Sequence, residues 1–481
     1  MNIESIIPYI AIAIYLLSTL AIGIVGYQGS KNTVDDYFLA NRSLGSVVLF
    51  FTLIATNFSA FFFLGFAGSG YRTGISYYPM MAFGTGFAAL TFYVIGYRVW
   101  LLGKAKGLVT PPELIEECLG NRPLKLIFLA VMVIFTLPYL ALQPIGAGYL
   151  LEKLTGGQIP YFTGATILTF AIVFYVCIGG MKSVALTDVL QGILMAGLMV
   201  VAVVAIANGL GGFTLANKTV YQLEPELFSR NGADNFFTPQ IWFSYLCLWS
   251  FTLPMFPQMF MRFYTPKTPR SLKVSVMLYP IITIFLFICP VIIGVWGHIA
   301  FPDLVGKATD QILPLMLTKY TSVGVSSIVM VGALSAFMST LDSQLLALSS
   351  ILVRDIYLTY GRKNASLAEQ TLVGRLLIIV LAIIGLILAY RPPSTILALA
   401  TQGFTGLSVL FPTVIAALYG KNIHPVSCII SILVGETILL GFQLGWIRSS
   451  LTFGFLPVVP IVAICSLIII LGTLKTLATR Q

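Results

Sequence analysis

Five polar side chains lie within six consecutive positions of an apolar stretch, and together they could bind an ion. The stretch is FMSTLDSQLLALSS at 337–350, and its polar positions are Ser339, Thr340, Asp342, Ser343 and Gln344. On a helix with 3.6 residues per turn, Ser335, Ser339, Asp342 and Ser343 share one face. A hydroxyl in such a helix usually bonds back to the carbonyl four residues earlier. Here hydroxyls and a carboxylate share one turn, and these are the oxygen ligands that a hard cation such as Na⁺ takes.

The rest of the chain indicates where this helix lies. The protein has 481 residues, a mean hydropathy of +0.95 and only 9% charged residues. Many apolar runs exceed the 18 residues that mark a membrane span, and backbone groups in lipid must be satisfied within their own helix. The sequence therefore predicts an all-α polytopic membrane protein in one domain. We predict thirteen spans, near 5–26, 45–71, 77–103, 124–151, 160–180, 186–209, 240–262, 274–300, 320–350, 373–390, 395–419, 422–445 and 454–474.

Spacing along the chain suggests two halves of five helices. The first would cover 45–209 and the second 240–419, with an extra N-terminal helix at 5–26 and two C-terminal helices at 422–474. Because five is odd, the second half must enter the membrane from the opposite side, which is the inverted repeat of many secondary transporters. The intervening segment, 210–239, is either a lid or a plain connector.

Helix breakers stand at matching positions in the two halves. The first helix of the first half carries Thr56, Asn57 and Ser59 in mid-span, followed by three glycines. The first helix of the second half carries Pro254 and Pro257, each of which removes a backbone hydrogen bond. An unwound segment in mid-membrane would free carbonyls and amides for ions and substrates. The alternative at either helix alone is an ordinary kink or a close helix crossing.

The distribution of basic residues predicts the orientation. Placing the loop after the first span in the cytoplasm puts most of the 27 lysines and arginines inside, Arg262 and Arg354 among them. The N-terminus is then outside and the C-terminus cytoplasmic, in the cell membrane. This topology, with a lipid bilayer as partner, accounts for the net charge of +10, so we expect no nucleic-acid partner. No obligate protein partner is evident.

Several function classes lack the residues they would need. The spans hold no paired catalytic carboxylates, histidine cluster or Ser/His pair, so we predict that the protein is not an enzyme. His298 and His424 lie far apart, and the six cysteines lack CxxC spacing. A membrane sensor or a channel remains an alternative of another class, although a closed mid-membrane site favours a carrier. We assign no role to Glu436 on the twelfth span.

Three motifs carry a resemblance to a known family. MSTLDSQLLALSSILVRDIY at 338–357, DDYFLANRSLG at 35–45 and GGMKSVALTDVLQG at 179–192 occur in the same order as in the sodium:solute symporter family. That family includes proline, pantothenate, monocarboxylate, sialic acid and sodium/glucose carriers. The resemblance implies a leucine-transporter-type core of five plus five inverted helices and the Na⁺-coupled symport of a small organic solute.

The resemblance also implies an ion site. Its oxygens would be the hydroxyls of Ser339 and Thr340 and the carbonyls of Ala336, Ala55 and Phe58. Asp188 matches a family aspartate that looks like a way station for sodium release. Its alternative role is that of a carboxylate stabilised by a helix N-terminus.

The solute is less clear. Asn57 stands where proline carriers have an acidic residue, and aromatic residues around it stand where sugar carriers place polar groups. We favour a monocarboxylate, a pantothenate-like organic acid or an amino acid, with a sugar or sialic acid as the alternative. Proton coupling through Asp342 or Asp188 is a further alternative. Each candidate for the substrate pocket could instead be a packing contact; these are Asn57, Ser59, Tyr139, Gln143, Trp249, Ser250 and Gln402.

Overall fold

The computed structural model describes residues 3–28 and 34–478, and helices make up nearly all of the regular structure in these ranges. The α-helices of the first part are α1 (Ile3–Gln28), α2 (Val34–Leu39), α3 (Ser46–Asn57), α4 (Phe66–Thr73), α5 (Tyr77–Lys106), α6 (Pro111–Leu119), α7 (Arg122–Leu154), α8 (Tyr161–Gly209) and α9 (Phe213–Leu223). Those of the second part are α10 (Pro239–Thr252), α11 (Pro257–Arg262), α12 (Pro269–Trp296), α13 (Ile312–Tyr320), α14 (Val323–Ile351), α15 (Leu367–Ala389), α16 (Ile396–Ser408), α17 (Phe411–Tyr419), α18 (Pro425–Gln443) and α19 (Val458–Ala478).

The number of spans differs from the prediction for geometric reasons. In the described ranges, ten helices are long and apolar enough to cross a membrane, or eleven if the bent pair α3 and α4 is one span. Helix α8 has 49 residues, about 74 Å at 1.5 Å per residue, and Gly180 has non-helical angles (φ 60°, ψ −159°). It covers both predicted spans 160–180 and 186–209. Helices α10 and α11 are individually too short to qualify, although they cover the predicted span 240–262.

Both predicted breaks are present. Helix α3 ends at Asn57, a π-helical turn covers Phe61–Gly65, and the two arms of this span are bent by 58°. In the second half, a 3₁₀ turn at Leu253–Met255 separates α10 from α11. Pro257 is the first residue of α11, the position where a missing amide hydrogen costs no helical hydrogen bond.

Helix α14 lies in the middle of the bundle and packs against α8, α7 and α1. Every residue from Val329 to Ile351 is buried. Its polar stripe therefore faces protein and avoids the cost of placing a carboxylate against lipid.

The segment between α8 and α10 is folded and packs on the bundle. The Leu227 carbonyl accepts a hydrogen bond from the amide of Ile75 (2.8 Å), and the Ser229 carbonyl accepts one from the hydroxyl of Ser76 (2.9 Å). The indole of Trp296 at the end of α12 donates to Asn217 (2.7 Å). These contacts make it a cover over the ends of α4 and α12 rather than a loose connector.

Candidate functional site

The break between α3 and α4 leaves backbone carbonyls without their usual helical partners. The amide of Ala60 donates to the side chain of Gln143 (3.0 Å) instead of to the Thr56 carbonyl. The amide of Phe61 donates to the Ser59 hydroxyl (3.2 Å), and that of Phe62 to the Ser59 carbonyl (3.0 Å). Phe58 itself is extended (φ −84°, ψ 106°). The carbonyls at the end of α3 are thereby available to other groups.

Helix α14 brings its hydroxyls to these carbonyls. The Ser339 hydroxyl lies 2.7 Å from the Ala55 carbonyl oxygen and 3.1 Å from that of Ala336. The Thr340 hydroxyl lies 3.5 Å from the Ala55 carbonyl oxygen and 3.4 Å from that of Phe58. The five residues that the family resemblance implies as ion ligands therefore lie together, all of them buried.

A further oxygen joins this group. The Thr340 hydroxyl also lies 3.3 Å from the Thr56 carbonyl oxygen. The family resemblance does not imply this carbonyl, and no residue type marks a backbone oxygen in the sequence. Its availability depends on the hydrogen bond between the Ala60 amide and Gln143.

Asp188 is linked to α14 through Arg262, whose guanidinium also donates to the Ser343 hydroxyl. Its carboxylate accepts hydrogen bonds from Thr52 and from the guanidinium of Arg262, whose Nη2 lies 3.0 Å away. Arg262 and Asp188 are both fully buried. Arg262, which the sequence places among the basic residues on the cytoplasmic side, is thus buried within the protein. Arg262 stands at the end of an apolar span, and no residue near it in the sequence indicates Asp188 as its partner.

A cavity of about 20 Å³ lies beside the break, on the side of Asn57 and Phe58. Nine of its lining side chains are aromatic, and its polar lining side chains are Asn57 and Thr85. That volume is close to the space one water molecule needs. The pocket is therefore closed around its aromatic residues in this conformation; they are Phe58, Phe61, Phe62, Phe66, Tyr139, Trp249, Phe256, Phe287 and Phe404.

The predicted pocket residues divide into two groups. Asn57, Tyr139 and Trp249 line the cavity. The Asn57 amide donates to the hydroxyl of Tyr279 on α12, a partner that sequence reasoning missed. The ring of Tyr139 stacks on Phe256, with 5.0 Å between centroids. The other four predicted pocket residues do not line the cavity; they are Ser59, Gln143, Ser250 and Gln402.

Ser59 and Gln143 hold the break in shape, each by accepting a hydrogen bond from a backbone amide. Ser250 is buried outside the cavity, and its carbonyl accepts a hydrogen bond from Thr91 (2.9 Å). Gln402 is exposed, while Phe404 of the same helix lines the cavity. Two positions along a helix correspond to a rotation of about 200°, so only one of this pair can face the pocket.

An ion pair lies at the end of α4, and we call it the closure of this end of the broken span. Arg72, in the last turn of α4, lies 3.4 Å from the carboxylate of Asp310, in the loop before α13. The same carboxylate accepts a hydrogen bond from the Ile396 amide at the start of α16 (2.8 Å). A Cβ added to Gly68 would lie 2.5 Å from Asp310, so only glycine permits this approach. Asp310 thus connects α4, the loop and α16.

Acidification is expected to stabilise this closure. Burial raises the pKa of Asp310 to about 6, against the opposing effects of Arg72 and the Ile396 amide. When the closure opens and Asp310 meets water, its pKa should return toward its ordinary value. The closed state then binds the proton more tightly, so between pH 7 and pH 5 the ratio of closed to open should rise about tenfold.

Hydrogen exchange at the Ile396 amide measures this ratio. After correction for the intrinsic rate, exchange should slow as pH falls through 6, and Asp310→Asn should remove the pH dependence. Equal pH dependence in the two proteins would contradict the assignment to Asp310.

The chain is similar to proteins of a known family. The model of the sodium:solute symporter family matches residues 37–435. The sodium/pantothenate symporter of Escherichia coli (strain K12) is 26% identical over 479 residues, covering 98% of this chain and 96% of that protein. The sodium/proline symporter of Staphylococcus aureus (strain JH9) is 27% identical over 467 residues, covering 94% and 89%.

Two solved structures are similar in fold. A Na⁺-coupled sialic acid symporter in a substrate-bound outward-open state superposes with a TM-score of 0.80 at 19% identity, covering 98% of this chain and 97% of that one. A nucleobase-cation-symport-1 family transporter, closed with bromovinylhydantoin bound, gives a TM-score of 0.62 at 12% identity, covering 92% and 94%.

The helical bundle with its broken span has the leucine-transporter-type fold. The chain belongs to the sodium:solute symporter family. It is a multi-pass protein of the cell membrane that couples the transport of a small solute to sodium, and it is not an enzyme.

Proposed function

We propose that sodium binds among the oxygens of Ala55, Phe58, Ala336, Ser339 and Thr340. The observation that carries this proposal is the meeting of α14 hydroxyls with carbonyls freed at the break. A hard cation that binds oxygen at about 2.4 Å keeps neighbouring ligands about 3.4 Å apart in an octahedron. Three of the four hydroxyl–carbonyl separations, 3.1, 3.4 and 3.5 Å, are of this size. The shorter one, 2.7 Å, is a hydrogen bond that a bound ion would lengthen.

Sodium at this place would connect the two helices that must move relative to each other. Ala55 and Phe58 belong to the break, while Ala336, Ser339 and Thr340 belong to α14. Binding would stabilise the state in which the pocket can accept solute, and release past Asp188 would let α3 separate from α14. In this scheme the halves 45–209 and 240–419 are inverted repeats, the N-terminus is outside and the C-terminus is cytoplasmic. The transporter needs no obligate protein partner.

The solute is a small organic acid, of the monocarboxylate or pantothenate type, or an amino acid. The cavity is mainly aromatic, so it suits the apolar part of such a molecule better than the many hydroxyls of a sugar or sialic acid. The amides of Ala60 and Phe61 are held by the side-chain oxygens of Gln143 and Ser59. A substrate carboxylate can replace those oxygens at the start of the second arm of the broken span, Phe61–Thr73. There the helix dipole favours a negative charge.

Uptake into liposomes tests the solute class. The purified protein is reconstituted and offered labelled pantothenate, lactate, pyruvate, proline, sialic acid and glucose, with an inward Na⁺ gradient or an equal K⁺ gradient. We expect sodium to drive the accumulation of one of the organic acids or of proline. Uptake of glucose or sialic acid alone would overturn the solute class. Uptake that follows an imposed pH gradient and ignores sodium would overturn the ion.

A further inference from the structure

Arg262 forms a buried cluster of its own on the far side of the proposed sodium site from Arg72. Its Nε lies 2.8 Å from the Thr52 hydroxyl, and its Nη2 lies 3.0 Å from Asp188 and 2.6 Å from the Ser343 hydroxyl. Its Nη1 donates to the Gln258 carbonyl of its own helix (3.1 Å). We call Thr52, Asp188, Arg262 and Ser343 the Arg262 cluster. It joins α3, α8, α11 and α14.

A second buried carboxyl group lies beside the Arg262 cluster. Next to Ser343, the carboxylate of Asp342 accepts hydrogen bonds from Ser343 (3.0 Å) and from Tyr175, and it is fully buried. Among the described residues, one guanidinium therefore stands beside two buried carboxyl groups. One oxygen of Asp188, Oδ1, has no hydrogen-bond partner there. A buried carboxylate needs a cation or hydrogen-bond donors at its oxygens, and Oδ1 leaves one such position open.

The cluster is also continuous with the proposed sodium ligands. Thr52 precedes Ala55 by three residues on α3, and Ser343 follows Thr340 by three on α14, so each lies about one turn away. The Thr56 and Ser343 hydroxyls are 3.2 Å apart. An ion that leaves Thr340 toward Asp188 must therefore pass beside the Arg262 guanidinium. Two cations on one carboxylate repel each other strongly inside a protein.

We propose that Arg262 is a tethered cation that competes with sodium for Asp188. The guanidinium moves off Asp188 as sodium arrives, and its return to Asp188 expels the ion from the cluster. Arg262 is a positioning residue in this scheme, because it acts on sodium through Asp188. The inference rests on the proposed sodium site and adds the step that makes release favourable.

The test separates charge from packing with four variants: Arg262→Gln, Arg262→Lys, Asp188→Asn and the double variant Arg262→Gln/Asp188→Asn. Binding of ²²Na⁺ to the purified protein and the sodium dependence of uptake are both measured. Arg98→Gln, an exposed arginine on α5, is the control for the removal of a positive charge.

Competition predicts a result that loss of packing does not. Arg262→Gln leaves Asp188 without its cation, so sodium should bind about tenfold tighter, since a nearby charge changes cation affinity at a carboxylate by about ten- to a thousandfold. Maximal uptake should fall because release is slowed. Arg262→Lys keeps the charge and should keep sodium affinity within about threefold. Asp188→Asn should weaken sodium binding, and the double variant should lie between the two single variants.

Other results would overturn the inference. If Arg262 only clamps the four helices, Arg262→Gln and Arg262→Lys will both lower thermal stability without tightening sodium binding. If the unsubstituted protein binds no ²²Na⁺ and its uptake ignores sodium, the proposed sodium site itself fails. A sodium-dependent protein whose Arg262→Gln variant has unchanged sodium affinity would reject only the competition step.

Discussion

Replacement of both Ser339 and Thr340 by alanine is expected to abolish sodium-driven accumulation of the solute. The two hydroxyls supply two of the five proposed ligand oxygens, and both belong to one turn of α14. A hydrogen bond or ligand contact to a charged group contributes about 1.5–3 kcal/mol. Loss of both should therefore weaken sodium binding by at least about a hundredfold. The carbonyls of Ala55, Phe58 and Ala336 remain, and these three oxygens are too few to surround a hard cation.

The measurement is uptake into liposomes as a function of external sodium, together with ²²Na⁺ binding. Ser327→Ala is a matched control on the same helix, because the Ser327 hydroxyl bonds back to the Val323 carbonyl (2.6 Å) and lies far from the break. The control should retain the sodium dependence of the unsubstituted protein. A double variant that still accumulates solute with an unchanged sodium requirement would place the ion elsewhere.

Helix periodicity made the polar stripe of α14 predictable from sequence. Residues three or four apart share a face whatever surrounds the helix, so Ser335, Ser339 and Ser343 had to lie together. The positions of the two breaks were also predictable: Pro254 and Pro257 interrupt the helical hydrogen-bond pattern at the second break, and Thr56, Asn57 and Ser59 followed by three glycines mark the first. The carbonyl ligands were accessible only through the family resemblance, because a backbone oxygen has no residue type that marks it.

Tertiary contacts between distant spans were not predictable in this way. Arg262 and Asp188 are 74 positions apart, and nothing in either local sequence names the other. Gln402 and Phe404 are close in sequence, but the rotation of α16 about its axis determines which one reaches the cavity. That rotation is set by packing against α7, α10 and the break. The span count differed because α8 continues through the kink at Gly180 and covers two predicted spans, and because the break leaves α10 and α11 each too short to count as a span.

Gly294→Ala is expected to disrupt the packing of the broken span and to eliminate most transport. A Cβ at Gly294 of α12 would lie 1.9 Å from the carbonyl oxygen of Ala67 on α4. One at Gly70 of α4 would in turn lie 2.4 Å from the Val291 carbonyl oxygen of α12. Here the two backbones touch directly, as small residues allow in membrane helices. Because backbone atoms cannot rotate away like a side chain, the methyl group must push α4 off α12.

The displacement would reach the pocket, because Phe66 and Phe62 pack against Phe287 of α12 with ring centroids 4.9 and 5.4 Å apart. Overpacking of this kind typically costs about 1–3 kcal/mol. The melting temperature of the detergent-solubilised protein and its uptake rate should therefore both fall. Gly197→Ala is the matched control, since a Cβ there meets no atom within 4 Å and alanine favours a helix over glycine. Should Gly294→Ala melt and transport like Gly197→Ala, the direct backbone contact between α4 and α12 would be excluded.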